Sequence, residues 1–209
     1  TTLLETDPSL AVGPPPIDIS ATGPRVVDLA AGIADGITFA VGANPVRLAG
    51  LVNRAREARR EAGLDLDGFR LGCYVPAAVA PSGDIGRARE IVRGAVLRHA
   101  RFSAFRGEPL VDVGAGDRDG VQLSFEVTSD SKRGIPKRAD FSVADALPDD
   151  FVDRFAIVGD PTRCAERFDE IIAAGIDRIV VITRVPTTDP EEENAARLAQ
   201  EVFPLVRKG

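Results

Sequence analysis

Short apolar segments alternate along this chain with longer stretches in which apolar residues recur every three or four positions. The short segments are Ile17–Ala21, Ile37–Val41, Phe69–Val75 (with an extension to Val79 left open) and Arg178–Thr183. Their length and composition predict buried strands, whereas the longer periodic stretches predict amphipathic helices. Because strands alternate with helices, the pattern predicts a parallel sheet covered by helices, which is an α/β fold.

Six helices are predicted between and after these strands. Several begin at a proline that follows Asn or Asp, because the side-chain oxygen caps the first turn and the missing N–H of proline costs nothing there. The predicted ranges are Pro24–Ala34, Pro45–Ala62, a third helix that begins at Asp84 or Gly86 and ends at His99, Pro148–Phe155, Pro161–Ala174 and a last helix after Asp189-Pro190 that continues to Phe203. Four strands fit either a small doubly wound sheet or part of a barrel, since a complete (β/α)₈ barrel needs eight strands.

The first helix has a buried stripe that can be read from the spacing of its apolar residues. Val26, Val27, Ala30, Ile33 and Ala34 follow one another at helical intervals. We therefore expect these five side chains to face the sheet.

Between the third helix and the short fourth one, the pattern changes. Residues 102–147 are rich in Gly, Asp, Ser and Pro and have only scattered apolar positions. We interpret this stretch as an inserted, lid-like segment, because long irregular segments of this kind are usually functional or mobile. Its Gly114–Gly120 run superficially resembles a dinucleotide-binding motif, but it follows no clear strand and is expected to be a loop that opens no helix.

The composition is that of an ordinary folded protein and narrows the classes of partner. Over 209 residues, 44% are apolar and 28% charged, which suits one domain with a single core, 1–209. The net charge of −6 and the lack of a basic patch argue against nucleic acid. No apolar segment reaches the roughly 20 residues of a membrane span, and no signal peptide is visible. Membrane partners are therefore not expected.

The two cysteines are predicted to be structural. Cys73 lies in a strand pattern and Cys164 in a helix pattern, which favours two separate buried thiols over a disulfide or a metal site. No cluster of metal-ligating residues is evident. Free thiols make the cytoplasm the expected compartment.

The candidate chemistry lies at two turns that follow the first two strands. The segment Ser20-Ala21-Thr22-Gly23-Pro24 joins the first strand to the first helix, and Val41-Gly42-Ala43-Asn44 occupies the equivalent place after the second strand. In one interpretation, each turn serves only to cap the helix that follows it. Each also suits an anion, because hydroxyls, a glycine and helix N–H groups meet there, and turns on adjacent parallel strands would flank the same ligand.

Other candidates for catalysis are weaker. His99 is the only histidine and stands at a helix end beside Arg98 and Arg101, where an imidazole is more often structural than catalytic. The sequence has no nucleophile elbow. Carboxylate pairs such as Asp149-Asp150 are typical of helix starts. No general acid or base can be identified.

The first βα unit carries a family resemblance. Residues 19–31, ISATGPRVVDLAA, and 34–43, ADGITFAVGA, resemble the luciferase-like monooxygenase superfamily, and most of all its deazaflavin-dependent oxidoreductases, which include methylenetetrahydromethanopterin reductase. Residues 151–167, FVDRFAIVGDPTRCAER, and 98–107, RHARFSAFRG, are similar to the same branch. The resemblance covers nearly the whole chain and is weakest over 108–147.

The resemblance implies a TIM (β/α)₈ barrel of which this chain carries about the C-terminal half, strands five to eight, with an insertion before the last strand. It also implies that the phosphate group of a cofactor is held by a small set of residues at the two turns. This set comprises Ser20, Ala21, Thr22 and Gly23, and less directly Val41 and Gly42. The catalytic group would lie in the first half of the barrel, which these residues do not include.

The chemistry implied by the resemblance is hydride transfer between reduced coenzyme F-420, an 8-hydroxy-5-deazaflavin, and a small organic acceptor. An FMN-dependent monooxygenase and a non-catalytic, flavin-binding truncated barrel are the alternatives, and an unrelated doubly wound nucleotide-binding domain is the third. A half barrel exposes two strand edges, so we expect a homodimer or an insoluble chain.

Overall fold

A computed structural model describes residues 15–105, 108–129, 141–183 and 190–207, and within them an α/β arrangement. The strands are β1 (Asp18–Ala21), β2 (Gly36–Phe39), β3 (Arg70–Val79), β4 (Ala104–Phe105), β5 (Glu108–Pro109), β6 (Ile157–Gly159) and β7 (Arg178–Ile182). The helices are α1 (Pro24–Ile33), α2 (Pro45–Glu61), α3 (Ile85–Ala100), α4 (Arg118–Ser129), α5 (Asp149–Phe155), α6 (Pro161–Ala173) and α7 (Pro190–Arg197). The last helix continues as a wider π-type turn over Leu198–Val202.

The four predicted strands and six predicted helices are confirmed, with ends that differ by a few residues at most. Strand β3 includes the extension to Val79. Asn44 and Asp160 cap α2 and α6 with their side chains, as the sequence predicts for Asn-Pro and Asp-Pro starts, and Asp84, which precedes Ile85, caps α3 in the same way. The predicted cap at Asp189 lies outside the described residues.

The main sheet is parallel throughout. Its order is β1-β2-β3, and both β7 and the short β6 pair with β3. Strand β7 lies beside Gly72–Pro76, and β6 lies beside Ala77–Val79 at the carboxyl end of β3. The strands β4 and β5 form a separate antiparallel pair of two residues each.

An ion pair across the sheet shows that the sheet is strongly curved. Arg178 on β7 donates to the carboxylate of Asp18 on β1, and its Nη2 lies 2.7 Å from the Thr38 hydroxyl on β2. In a flat sheet β1 and β7 would lie about 14 Å apart, since strand spacing is about 4.8 Å. Gly72 leaves room for this contact, because a Cβ there would lie 3.3 Å from both Arg178 Nε and Thr38 Oγ1. The curvature is that expected of a barrel wall.

The helices cover the convex face of this sheet. Alternate strand residues such as Ile37, Phe39, Leu71 and Cys73 are fully buried in one apolar cluster with α1, α2 and α6. A second cluster joins α3, α5 and residues of the predicted insertion, and it includes Phe151. The described part of the insertion is therefore packed against the barrel helices.

The predicted buried stripe of α1 is wrong at two positions. Val26 is 43% exposed and Ile33 is 64% exposed, while Val27, Ala30 and Ala31 are buried. Helix α1 has apolar residues on nearly every side, so the spacing of these residues alone does not determine which side faces the sheet. The helix turns its small residues inward, where they allow a close approach to the strands.

The interpretation of residues 114–120 as a loop that opens no helix is also wrong. A short 3₁₀ turn over Ala115–Asp117 leads directly into α4, which begins at Arg118. Gly120 lies in the first turns of α4 against Phe151, where a Cβ would come within 2.5 Å of the aromatic ring. The glycine that suggests a loop in the sequence is therefore required by helix packing.

Strand β6 is an element that the sequence pattern does not reveal. It has three residues, Ile157–Gly159, between the end of α5 and the cap of α6. A segment this short has no measurable periodicity, and it becomes a strand only because β3 extends far enough to pair with it.

Candidate functional site

The two predicted turns lie side by side at the carboxyl edge of the sheet. Ala21 is paired with Phe39 at the ends of β1 and β2, and the Ala40 N–H donates to the Ala21 carbonyl oxygen at 3.0 Å. The chain then leaves each strand toward the N-terminus of the following helix. The structure thus brings together the two turns that the sequence placed at equivalent positions.

The first turn presents donors without an internal side-chain cap. Gly23 is the N-cap residue of α1, has extended backbone, and makes no side-chain capping bond. Thr22 is half-buried and Ser20 is exposed, whereas Ala21 is buried at the end of its strand. Pro24 has no N–H, and the Val26 N–H donates to the Gly23 carbonyl oxygen at 3.1 Å, so the first turn of the helix offers the Arg25 N–H beside the two hydroxyls. This donor set fits the phosphate group of a flavin-type cofactor.

At the second turn, the end of α5 fills the space beside the backbone. Val41 is buried, and Gly42 has a φ of 80°. A Cβ on Gly42 would lie 2.7 Å from the Phe155 carbonyl oxygen, which also accepts a 2.8 Å hydrogen bond from the Ala43 N–H. Glycine is therefore required here by the close approach of α5. The cofactor roles of Val41 and Gly42 stay predictions.

A segment of the insertion crosses the first turn, and we call residues Leu110–Val113 the strap. A Cβ on Gly23 would lie 3.4 Å from Leu110 Cδ1, so the leucine side chain packs on this turn. The Leu110 N–H donates to the Ser103 carbonyl oxygen at 2.8 Å. The strap is thereby fixed to the segment that ends α3.

Arg47, in the first turn of α2, ties the strap to the second helix. Its Nε donates to Asp112 Oδ2 at 2.7 Å and its Nη1 donates to Ser103 Oγ at 2.8 Å. The Arg47 side chain is 8% exposed and that of Asp112 is 23% exposed. Sequence reasoning missed both residues, because an arginine early in a helix and an aspartate in an irregular segment are each typical of solvated positions.

His99 lies in a structural position at the end of α3. Its Nδ1 is 2.8 Å from the Ala95 carbonyl oxygen, so Nδ1 carries the proton in the neutral ring. Burial lowers the pKa of His99, and the nearby Arg98 and Arg101 lower it further, although the Ala95 hydrogen bond opposes them. The structure gives His99 no nucleophile or carboxylate partner among the contacts described for it.

The cysteines are buried and separate, as predicted. Desolvation raises the pKa of Cys73 and that of Cys164 to about 12, so both thiols stay protonated near neutral pH. Among the residues that the structure describes, no three His, Cys, Asp or Glu side chains are grouped to hold a metal ion. No helix in the same ranges is long and apolar enough to cross a membrane.

Comparisons with known proteins bear on both the fold and the site. Residues 2–178 match the family model described as luciferase-like monooxygenase. A 5,10-methylenetetrahydromethanopterin reductase from Methanopyrus kandleri is 29% identical over 192 residues, which cover 90% of this chain and 50% of the relative.

Two solved structures show the same architecture. An F-420-dependent secondary alcohol dehydrogenase in complex with an F-420–acetone adduct aligns with a TM-score of 0.62 at 20% identity, over 92% of this chain and 49% of the other. A long-chain alkane monooxygenase aligns with a TM-score of 0.56 at 15% identity, over 91% and 40%. The chain spans about half the length of the relatives it matches. These likenesses confirm a partial barrel of the luciferase-like type.

Proposed function

The chain belongs to the luciferase-like monooxygenase family, and from that premise we propose that it serves an oxidoreductase that transfers a hydride between coenzyme F-420 and a small organic acceptor. The observation that carries the proposal is the pair of adjacent turns at the carboxyl ends of β1 and β2, one of which offers an uncapped helix N-terminus. The names of the methylenetetrahydromethanopterin reductase and of the F-420-dependent alcohol dehydrogenase support this choice of cofactor.

In this proposal the residues of the chain bind and orient the cofactor tail. The hydroxyl groups of Ser20 and Thr22 donate hydrogen bonds to phosphate oxygens, and the N-terminus of α1 supplies the Arg25 N–H and a partial positive charge. Gly23 has no Cβ to stand between its backbone and the phosphate, while Val41 and Gly42 form the neighbouring wall. The bound deazaflavin supplies the hydride chemistry, and the protein supplies position and exclusion of water.

An FMN-dependent monooxygenase is the second candidate. It is favoured by the long-chain alkane monooxygenase among the structural neighbours. Because FMN also carries a phosphate, the same turn would hold either cofactor.

The proposal also covers compartment and partners. Two free, buried thiols suit a reducing compartment, so we place the protein in the cytoplasm. We also propose that it forms a homodimer.

Separate absorbance titrations of the 209-residue chain with coenzyme F-420 and with FMN test the binding proposal. We expect Ser20→Ala and Thr22→Val each to weaken binding by about tenfold, the usual effect of losing a hydrogen bond to a charged group. Thr162→Val is a matched control, because Thr162 is an exposed hydroxyl in the first turn of α6, whose N-cap is Asp160. Binding of neither cofactor, or equal affinities in all three variants, would contradict the proposal, and tighter binding of FMN would favour the second candidate.

A further inference from the structure

One largely buried polar cluster, in which Asp112 keeps 23% of its side chain exposed, connects the strap to the N-terminal ends of both α1 and α2. Arg47 reaches from α2 to Asp112 of the strap and to Ser103, and Leu110 of the same strap packs on Gly23 at the start of α1. Three segments that are far apart in sequence therefore meet over the predicted phosphate site.

The cluster contributes little to the free energy of folding. Arg47 Nη2 and Asp112 Oδ1 are buried and have no hydrogen-bond partner among the described residues. Removing two charges from water costs about as much as their attraction returns, so a pair of this kind adds little net stability. What it does provide is a fixed orientation, because the guanidinium fork holds a carboxylate and a hydroxyl in one geometry.

We propose that Arg47 is a positioning residue for the cofactor-phosphate site. Through Asp112 it holds Leu110 against Gly23, so that the strap forms the outer wall of the first turn. This inference rests on the proposed function for its ligand, but the contact it describes exists without one.

Arg47 acts through the strap and does not contact the phosphate. Its Nη2 has almost no accessible surface. The Asp112 carboxylate beside it would also repel a second anion. Removal of either partner should then loosen the strap and weaken cofactor binding to a similar extent.

The test compares Arg47→Gln, Asp112→Asn and their double variant, with Arg54→Gln as the matched control. Arg54 also reaches from α2 to an aspartate, Asp28 on α1, with two bonds at 2.7 Å or less, and its Nε lies 3.3 Å from the Pro24 carbonyl oxygen, but it does not touch the strap. Arg47→Lys keeps the charge and loses the fork, so an intermediate result is expected from it. Thermal unfolding of every variant shows whether the fold is intact.

The first measurement needs no ligand. Amide hydrogen exchange at Leu110 and Val113, whose N–H groups bond to Ser103 and Leu110 carbonyls, should become about tenfold faster in both single variants and stay unchanged in Arg54→Gln. Unchanged exchange in Arg47→Gln would overturn the positioning role.

The second measurement is the affinity for coenzyme F-420. We expect both single variants to bind about tenfold more weakly, and the double variant to be no weaker than either, because the two residues act as one unit. Tighter binding by Asp112→Asn would overturn the proposal, since it would mark Arg47 as a direct phosphate ligand. If the unaltered chain binds no cofactor, the proposed function and the cofactor role of Arg47 both fail, while exchange still decides whether Arg47 holds the strap.

Discussion

At the scale of single residues, burial accounts for the behaviour of the one histidine. Burial of His99 lowers its pKa below the usual 6.5. The unfolded chain therefore binds more protons than the folded one in the pH range just below 6.5, and the free energy of unfolding decreases as pH falls through that range. Two carboxyls, Asp150 and Glu201, also have lowered pKa values because arginines donate to them. Their effect on the free energy of unfolding is confined to pH values below about 4.5.

We therefore predict that urea unfolding of the chain shows a loss of stability between about pH 7 and pH 5.5 that His99→Gln reduces. Glutamine keeps a donor for the Ala95 carbonyl and does not titrate. Arg87→Gln is the control, because Arg87 lies in the first turn of the same helix and pairs with Glu90, so the change leaves the imidazole and its neighbouring arginines in place. The same pH slope in His99→Gln and in the unaltered chain would show that other groups cause the loss.

The candidate site was only partly predictable at this scale. Ser20, Thr22 and Gly23 could be placed, because a strand, a polar turn and a proline at a helix start lie together in the sequence. Arg47 and Asp112 could not, since they are 65 positions apart in the sequence and only the packing of the strap brings them together. Pairings of this length depend on the tertiary structure and leave no local pattern.

At the scale of elements, the turn after β2 is fixed by its contact with α5. Gly42 has a φ of 80°, and a Cβ there would lie 2.7 Å from the Phe155 carbonyl oxygen. Gly63, after α2, has a similar φ of 72° and no atom within 4 Å of its Cβ position. A side chain at Gly63 would therefore meet only the cost of the left-handed backbone conformation, whereas one at Gly42 would meet that cost and a steric overlap with α5.

We predict that Gly63→Ala lowers the free energy of unfolding by about 1 kcal/mol, the cost of the left-handed conformation. Gly42→Ala should cost at least about 2 kcal/mol more, because α5 must also move. Denaturant unfolding of both variants measures the difference. If both variants lose the same free energy of unfolding, α5 shifts at little cost. The contact with α5 would then not explain why glycine stands at position 42, and a role in cofactor approach would be favoured.

Elements were predictable where periodicity or capping was strong and not where packing decided. Helices α2 and α6 follow from Asn44 and Asp160 together with their prolines. Helix α4 does not, because Gly120 indicates a loop until its contact with Phe151 is known. Helix α1 was found, but its orientation was not, since it has apolar residues on more than one side.

At the scale of the whole molecule, the sheet has three strands with a free side in the described ranges. Strand β1 pairs only with β2, and both β7 and the short β6 pair only with β3. An apolar stripe, Val26, Leu29 and Ile33, lies on α1 and is 43–64% exposed. It points away from α2, because Asp28 on another side of α1 pairs with Arg54 of α2. The barrel class itself was predictable only from the family resemblance, since four strands alone also fit a doubly wound sheet.

An apolar stripe beside an open parallel edge favours association with another copy. We predict that the 209-residue chain is dimeric or larger, and that Leu29→Glu combined with Ile33→Lys shifts it toward monomer in sedimentation and light-scattering measurements. Val46→Glu is the control, because Val46 is 81% exposed but lies on α2, outside the stripe. Opposite charges at Leu29 and Ile33 leave the net charge unchanged and form a favourable i,i+4 pair, so helix α1 itself should not be weakened. A monodisperse monomer of the unaltered chain would refute the prediction, and an oligomer that persists in the double variant would move the contact to the strand edges.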